Sequence, residues 1–342
     1  MHALASMTDF AFIQISPDRY LCGLGPFRSS ETPDGEEVAF YQNGFDLSDR
    51  RPWKIPTKFF ETSDLRILLP ENGATPLPEI AWAGLGDTAV REVFDEILAE
   101  IDSGTIQKSV PVLTERGTLQ RGELAALVKA IDMVPDALQG YGYRLDNRGM
   151  IGLSPETLFT LEDGLFTTMA LAGTAPRHEM GQFPSDDKEI REHELVADYL
   201  CDRLAPLGEV RRGKRTVLDL GTIVHFQTNI QVKLDNPNPD LSELIQLMHP
   251  TPALGACPRG EGALSRLTSY RERLNAPPEF GAPFGLWYQN KFQSLVAIRH
   301  VSWDGNDVFL PSGVGLVRGS RFDREWRELG LKRNSVKALL GV

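Results

Sequence analysis

The residues of this sequence that could do chemistry begin with acids on a helical segment. In "DDKEIREHELVADYL", Asp186 to Leu200, apolar residues recur at helical spacing, and Glu192 projects from the same face as Leu195 and Val196. A carboxylate on an inward face must be protonated, paired or bound to a metal. The alternative is an acid near a helix N-terminus, where the helix dipole favours negative charge.

A second set of acids lies near the C-terminus, in "DREWRELGLKRNSVKALL". Glu325, Glu328 and Lys332 are spaced three and four residues apart, so they share one helix face. The same spacing fits an exposed ion pair on a solvated surface. If Glu192 and Glu328 both face inward, they suit Mg²⁺, which prefers oxygen ligands and often uses one or two carboxylates.

A glycine-rich stretch, "SGVGLVRGS", precedes that C-terminal helix. Gly313 and Gly315 allow the backbone to approach a ligand closely, and the stretch leads into a helix N-terminus, where amides can hold an anion. A plain turn uses the same residues, so the pattern alone leaves both interpretations open.

Three charged residues lie among apolar neighbours. Glu156 in "GLSPETLF" is a candidate general acid, because apolar surroundings raise a carboxyl pKa, although a turn glutamate fits equally. Lys108 in "TIQKSVPVL" is a candidate base if it points inward, or a snorkelling or edge lysine if it does not. Arg299 in "SLVAIRHV" suits either a bound carboxylate or a structural ion pair.

Helices and strands must bring these residues together. Apolar periodicity predicts helices over residues 88–103, 121–134, 189–204 and about 323–340, and one strand for "IQKSVPVLTERG". A Pro/Gly-rich segment over residues 70–80 is typical of a linker or crossing loop. The remaining apolar runs indicate mostly antiparallel strands, which predicts an α+β fold with one or two large sheets and no sign of two independent domains.

Composition restricts the possible partners. The chain has 342 residues and a net charge of −11, which argues against nucleic acid and requires local cations, a metal or backbone amides to hold any anionic substrate. No apolar run is long enough for a membrane span, and the start lacks the pattern of a secretory signal. Three cysteines, far apart and without zinc spacing, favour a reduced cytoplasmic setting.

Seven stretches, in order, resemble the chorismate-utilising enzymes: "GLSPETLF", "ALAGTAPR", "DKEIREHELVADYL", "HPTPALGACP", "VAIRH", "SGVGLV" and "EWRELGLK". That family includes isochorismate, salicylate, anthranilate and aminodeoxychorismate synthases. The resemblance implies an anthranilate synthase component I-like α/β sandwich, with two stacked, mainly antiparallel sheets flanked by helices. It also implies a single chorismate-binding domain over residues 1–342, with weakly matching strands in 1–80 and the catalytic core in 85–342.

The resemblance also implies roles for individual residues. Chorismate would be the substrate and Mg²⁺ the cofactor, held by Glu192 and Glu328 with Glu325 in the same set. Lys108 and Glu156 would be the catalytic base and acid. The implied substrate-binding residues are Gly313, Gly315 and Lys332 at the ring carboxylate, Arg299 at the enolpyruvyl carboxylate, Gly173 and Thr174 along the ring, and His249 near the reacting face.

Two positions favour one reaction within the family. Ala172 stands where aminodeoxychorismate synthases carry a nucleophilic lysine, so a covalent lysine route is not expected. Lys108 aligns with the lysine of the water-using members, where anthranilate synthases have glutamine. The leading hypothesis is therefore an isochorismate synthase, serving menaquinone or siderophore biosynthesis, that needs no glutamine amidotransferase partner.

Two alternatives stay open. The first is a salicylate synthase, which adds pyruvate elimination to the same first step. The second is a divergent chorismate-binding homologue of weak or altered activity, motivated by departures from the family pattern. These departures are Pro111 and Leu113 near the lysine, Phe280 for a tyrosine, Ala256 for a glycine and Val314 for an alanine.

Overall fold

The computed structural model describes residues 8–70, 75–131 and 137–342. The helices are α1 (Thr88–Asp102), α2 (Val128–Ile131), α3 (Asp187–Leu204), α4 (Leu241–Met248), α5 (Glu261–Arg273) and α6 (Phe322–Leu340). The strands are β1 (Phe10–Ser16), β2 (Arg19–Leu24), β3 (Arg28–Ser30), β4 (Val38–Gln42), β5 (Trp53–Ile55), β6 (Lys58–Thr62), β7 (Glu79–Trp82), β8 (Lys108–Ser109), β9 (Val112–Arg121), β10 (Gln139–Leu145), β11 (Arg148–Ser154), β12 (Thr157–Glu162), β13 (Leu165–Pro176), β14 (Gly208–Arg212), β15 (Thr216–Asp219), β16 (Ile223–Leu234), β17 (Ala256–Cys257), β18 (Pro283–Tyr288), β19 (Lys291–Val296), β20 (His300–Asp304), β21 (Asp307–Gly313) and β22 (Leu316–Val317).

The strands form two large antiparallel sheets and one small one. One large sheet has the order β6-β2-β1-β10-β11-β20-β21-β9-β7, and the other has the order β14-β16-β13-β12-β19-β18-β4-β5-β3, with β15 also paired to β16. The third sheet has three short strands in the order β17-β8-β22. The predicted α+β class with two mainly antiparallel sheets is confirmed.

The two large sheets stack face to face. Ile13 and Leu21 of the first sheet share one apolar cluster with Phe40, Phe284 and Leu286 of the second. Burial of this shared face is the main apolar contribution to holding the sheets together. Helices cover the outer faces, since α6 packs on the first sheet and α3 and α4 pack on the second.

The predicted helices over 88–103, 189–204 and 323–340 correspond closely to α1, α3 and α6. Of the helix predicted over 121–134, α2 accounts for Val128–Ile131, and residues 132–136 lie outside the described ranges. Residues 71–74 of the predicted crossing loop also lie outside them. No helix in the described part of the chain is long and apolar enough to cross a membrane.

The strand predicted for "IQKSVPVLTERG" is wrong in one respect, because the structure divides it. Lys108 lies in β8 of the small sheet, whereas β9 of the large sheet begins at Val112. Pro111 falls in the break between them. A proline has no N–H to donate to a strand ladder, so a position between two strands costs it no ladder hydrogen bond.

Candidate functional site

A cavity lies where the two large sheets, the small sheet and helices α3 and α6 meet. Its lining contains polar and apolar residues, and these two sets are called the polar wall and the apolar wall. The polar lining comprises Glu156, Gly173, Thr174, Glu192, His225, Arg299, Ser312, Gly313, Gly315 and Lys332. The apolar lining comprises Val110, Pro155, Leu171, Ala172, Ala253, Leu254, Phe280, Ile298 and Pro311.

The cavity therefore brings together eight of the residues singled out by sequence: Glu156, Gly173, Thr174, Glu192, Arg299, Gly313, Gly315 and Lys332. Glu325 and Glu328 line an adjoining cavity, which shares Thr174 with the first. Lys108 lies behind Glu192 and is fully buried. His249 is not among the lining residues in the described part of the chain.

Lys108 and Glu192 form a buried ion pair, with 3.0 Å between Nζ and Oε1. Burial alone would raise the pKa of Glu192, but the ammonium groups of Lys108 and Lys188 outweigh it and lower that pKa to about 2. A Cβ atom at position 315 would lie 2.0 Å from the Glu192 carboxylate and 2.8 Å from Lys108 Cε. Gly315 is thus required for the pair to lie this close to the backbone.

Glu156 sits in the turn between β11 and β12, where its amide donates to Ser154 Oγ at 3.1 Å. The residue is buried, with 4% of its surface exposed. Burial raises the pKa of Glu156 to about 8, although Lys108 and Lys332 act in the opposite direction. The side chain is therefore mainly protonated at neutral pH, as a proton donor must be.

Arg299 is held against His225, a residue that the sequence analysis did not identify. The guanidinium Nη2 lies 3.0 Å from His225 Nε2, and His225 Nδ1 lies 3.0 Å from the carbonyl oxygen of Gly173. Since guanidinium only donates and carbonyl only accepts, the ring carries its proton on Nδ1 and accepts at Nε2. Burial and the Arg299 charge lower the pKa of His225 well below its usual value, so the ring stays neutral.

The backbone at Arg299 is also unusual, with a φ of 56° in the left-handed region. A residue with a side chain rarely adopts this conformation, so the surrounding contacts must hold it there. One of the five N–H groups of the guanidinium is engaged by His225, which leaves others free to face a carboxylate in the cavity. In "IVHFQTNIQV", strand alternation puts His225 on the face of Gln227 and Asn229, opposite the buried Phe226 and Thr228, so the pattern does not indicate its role.

Lys332 of α6 links the glycine segment to the acids. Its Nζ donates to the carbonyl oxygen of Gly313 at 2.9 Å and lies 2.7 Å from Glu328 Oε1. This places a cation at the end of β21, on the polar wall of the cavity. A carboxylate bound there would meet that cation directly.

An ammonium group lies at the centre of a cluster of four glutamates. Lys188 Nζ is 3.0 Å from Glu189, 3.3 Å from Glu192 and 3.4 Å from Glu325. Burial lowers the pKa of Lys188, but these glutamates and Glu328 raise it well above its usual value. Glu189 also accepts a hydrogen bond from the Thr174 amide at 2.8 Å. It is the one acid of the four that the sequence analysis missed.

The carboxylate oxygens of this cluster are of the kind that a divalent cation such as Mg²⁺ prefers. Its carboxylates already surround one cation, and burial raises the pKa of Glu189 and of Glu325 to about 7, as expected when too few positive charges are nearby. In the arrangement described, however, no group of three His, Cys, Asp or Glu side chains among residues 8–70, 75–131 and 137–342 is close enough to hold a metal. A cation would therefore have to replace the Lys188 ammonium.

His249 contributes to the support of the site rather than to its surface. Its ring is 3% exposed, and Nε2 donates to the carbonyl oxygen of Phe45 at 2.7 Å. The Phe45 ring packs edge-on against it at 4.9 Å between centroids. His249 thus lies at the start of the segment that carries Ala253 and Leu254 of the apolar wall.

Comparisons with known proteins show the family and the fold of the chain. The family described as "Chorismate binding enzyme" matches residues 86–341. The chain is 28% identical over 259 residues to the "Salicylate biosynthesis isochorismate synthase" of Pseudomonas aeruginosa, covering 72% of this chain and 53% of that protein. It is 31% identical over 199 residues to the isochorismate synthase MenF of Escherichia coli, covering 56% and 45% respectively.

The chain thus spans about half the length of these curated relatives. Among solved structures, it resembles the putative 2,3-dihydroxybenzoate-specific isochorismate synthase DhbC of Bacillus anthracis, with a TM-score of 0.79. That likeness covers 98% of this chain and 97% of the other at 18% identity, so it establishes the fold.

Proposed function

The chain belongs to the chorismate-binding enzymes, and from this premise we propose that it converts chorismate to isochorismate. Water adds at ring carbon C2, the two ring double bonds shift, and the C4 hydroxyl leaves as water. The observation that carries the proposal is the buried carboxyl of Glu156, whose pKa burial raises to about 8, on a cavity lined also by Arg299 and Lys332. It can supply the proton that the leaving hydroxyl needs.

In this mechanism Lys108 is the base that takes a proton from the attacking water, and Glu156 is the acid. Glu156 must carry its proton and Lys108 must have lost its own for this step, so the Lys108 ammonium that pairs with Glu192 at 3.0 Å has to be deprotonated before it can act as the base. Arg299 and Lys332, both of which line the cavity, would bind the two carboxylates of chorismate. Because the nucleophile is water, no glutamine amidotransferase partner is required.

We also propose that the activity depends on Mg²⁺. Glu192, Glu325 and Glu328 would hold the ion, with Glu189 as a further acid beside them. When bound, the ion would neutralise the cluster and bind a carboxylate of the substrate. The net charge of −11 makes such local positive charge necessary for a dianionic substrate.

The test is to incubate the protein with chorismate and Mg²⁺, with and without ammonium, and to identify the products by chromatography. Isochorismate alone is the expected result. Salicylate with pyruvate would replace the proposal by the salicylate synthase hypothesis. An amino product that requires ammonium would overturn it, and calorimetric binding of chorismate without turnover would favour the altered homologue.

Removal of the Lys188 ammonium should strengthen the response to Mg²⁺. Lys188→Met leaves the buried glutamates without their central cation, so we expect a lower Tm without metal and a larger rise in Tm on adding Mg²⁺ than in the wild type. Thermal unfolding with and without Mg²⁺ measures both. Lys214→Met, at an exposed lysine, is the control, and an equal rise in Tm for Lys188→Met and the wild type would contradict the cation site.

Loss of Arg299 should weaken substrate binding more than it slows turnover. Arg299→Met removes a buried guanidinium from the polar wall, and a hydrogen bond to a charged group contributes about 1.5–3 kcal/mol, or roughly 10- to 100-fold in affinity. Calorimetric titration with chorismate measures the change. The control is Arg148→Met, which removes an exposed arginine that pairs with Asp304 and should bind chorismate normally. Wild-type affinity in Arg299→Met would exclude Arg299 as a substrate contact.

A further inference from the structure

A buried arginine outside the cavity holds part of its wall in place. Arg271 lies in the last turn of α5, with 7% of its surface exposed. Its Nη2 donates to the carbonyl oxygens of Pro277 at 3.1 Å and Phe280 at 2.8 Å. The guanidinium plane lies over the Phe45 ring, 3.8 Å from the ring centroid.

Arg271 does not form an ordinary ion pair with these partners. Among the described residues, its hydrogen-bond acceptors are backbone carbonyls rather than carboxylates. Burial lowers the pKa of Arg271 to about 10, which still leaves it charged at neutral pH, while Glu279 and Asp46 act in the opposite direction. A buried cation is costly unless its geometry is well satisfied. The planar guanidinium compensates the cost of burying its charge by bridging two carbonyls and stacking on a ring, which the ammonium group of lysine cannot do.

The bridged segment carries a wall of the cavity. Phe280 supplies one of the two bridged carbonyls and lines the cavity with Leu254 and Ile298. The amide of Gly281, a residue with a φ of 77°, then donates at 2.7 Å to the carbonyl oxygen of Ala297, between β19 and β20. The backbone that carries the Phe280 ring is therefore held by the guanidinium on one side and by the segment between β19 and β20 on the other.

The same guanidinium reaches a second part of the wall through Phe45. The Phe45 amide donates to Pro278 at 2.7 Å, and its carbonyl accepts from His249 at 2.7 Å. His249 begins the segment that continues to Ala253 and Leu254 of the lining. Arg271 thus connects both chain segments that form the apolar wall on this side.

We propose that Arg271 is a positioning residue, which sets the apolar wall of the cavity through Phe280 and so sets the affinity for substrate. It touches no substrate itself. The proposal rests on the proposed function in taking chorismate as the ligand, but it does not require a particular product. Its effect should appear in binding, since Lys108 and Glu156 lie on other elements.

The test compares Arg271→Met and Arg271→Lys with the matched control Arg273→Met. Arg273 lies two residues further along α5, is exposed and pairs with Glu96 at 2.7 Å. We expect both Arg271 variants to raise the KM and the calorimetric Kd for chorismate about tenfold with kcat changed less than about threefold, because a displaced wall loses contacts that hold the substrate and its transition state equally. The control should match the wild type.

A double-mutant cycle with Phe280→Ala separates positioning from general destabilisation. If Arg271 acts through the Phe280 ring, Arg271→Met in the Phe280→Ala background should change the Kd by less than about twofold. Additive effects, or a wild-type Kd in Arg271→Met, would overturn the proposal. If Arg271→Met does not fold, the cycle is run with Arg271→Lys, and a wild-type Kd there would equally refute bridging by the guanidinium.

The binding measurements also keep this inference apart from the proposed function. If the wild type binds chorismate but forms no isochorismate, the proposed reaction fails while the Kd comparison still decides the role of Arg271. If isochorismate forms and the Arg271 variants bind normally, the positioning role fails alone.

Discussion

Replacement of Lys108 by glutamine is expected to lower kcat for isochorismate formation by about 10²–10⁴-fold, the usual contribution of a positioned acid or base. Glutamine is close to lysine in length but cannot accept a proton from water at neutral pH. The Glu192 carboxylate would lose its partner at 3.0 Å but keep Lys188 at 3.3 Å, so the buried charge remains compensated. Steady-state kinetics with product analysis measures the loss.

Binding should separate this role from a structural one. We expect Lys108→Gln to bind chorismate in a calorimetric titration and to unfold cooperatively. Lys291→Gln, at a partly exposed lysine that pairs with Glu162 at 3.1 Å, is the matched control and should keep full activity. Isochorismate formation by Lys108→Gln at the wild-type rate would show that the base has been assigned to the wrong residue.

Replacement of Glu156 by glutamine is expected to lower kcat by a similar factor of about 10²–10⁴, because the leaving hydroxyl loses its proton donor. The pH dependence gives a second readout. Burial raises the pKa of Glu156 to about 8, so the active, protonated form predominates below that pH and disappears above it. For the wild type, kcat/KM should therefore fall about tenfold per pH unit on the alkaline side of about 8.

The residual activity of Glu156→Gln should not show this alkaline fall, because glutamine does not titrate. Glu162→Gln changes an exposed glutamate at the end of the same strand, β12, and should keep both the rate and the pH profile of the wild type. If kcat/KM of Glu156→Gln falls above about pH 8 as it does in the wild type, another group titrates there and Glu156 is not the acid.

The departures from the family pattern have different consequences in the structure. Pro111 lies between β8 and β9 and breaks no strand ladder, so it gives no reason to expect altered chemistry. Phe280, in contrast, lines the cavity and brings no hydroxyl to it. Substrate affinity is therefore the property in which this chain is expected to differ from relatives that carry a tyrosine there.

The sequence by itself determined the local structure of the site and its family. Periodicity placed Glu192 on the buried face of α3, because the side-chain direction in a helix follows from spacing alone. The same argument put Glu325, Glu328 and Lys332 on one face of α6. The ordered motifs predicted the family, and the structure has the fold that this resemblance implied.

Only the tertiary structure decided which of these residues meet. The sequence did not indicate that Lys188 lies among four acids from α3 and α6, that His225 holds Arg299, or that His249 turns away to Phe45. Each of these contacts joins segments far apart in the chain. Spacing fixes the face on which a residue lies, but the partner across that face depends on how sheets and helices pack, which local patterns do not encode.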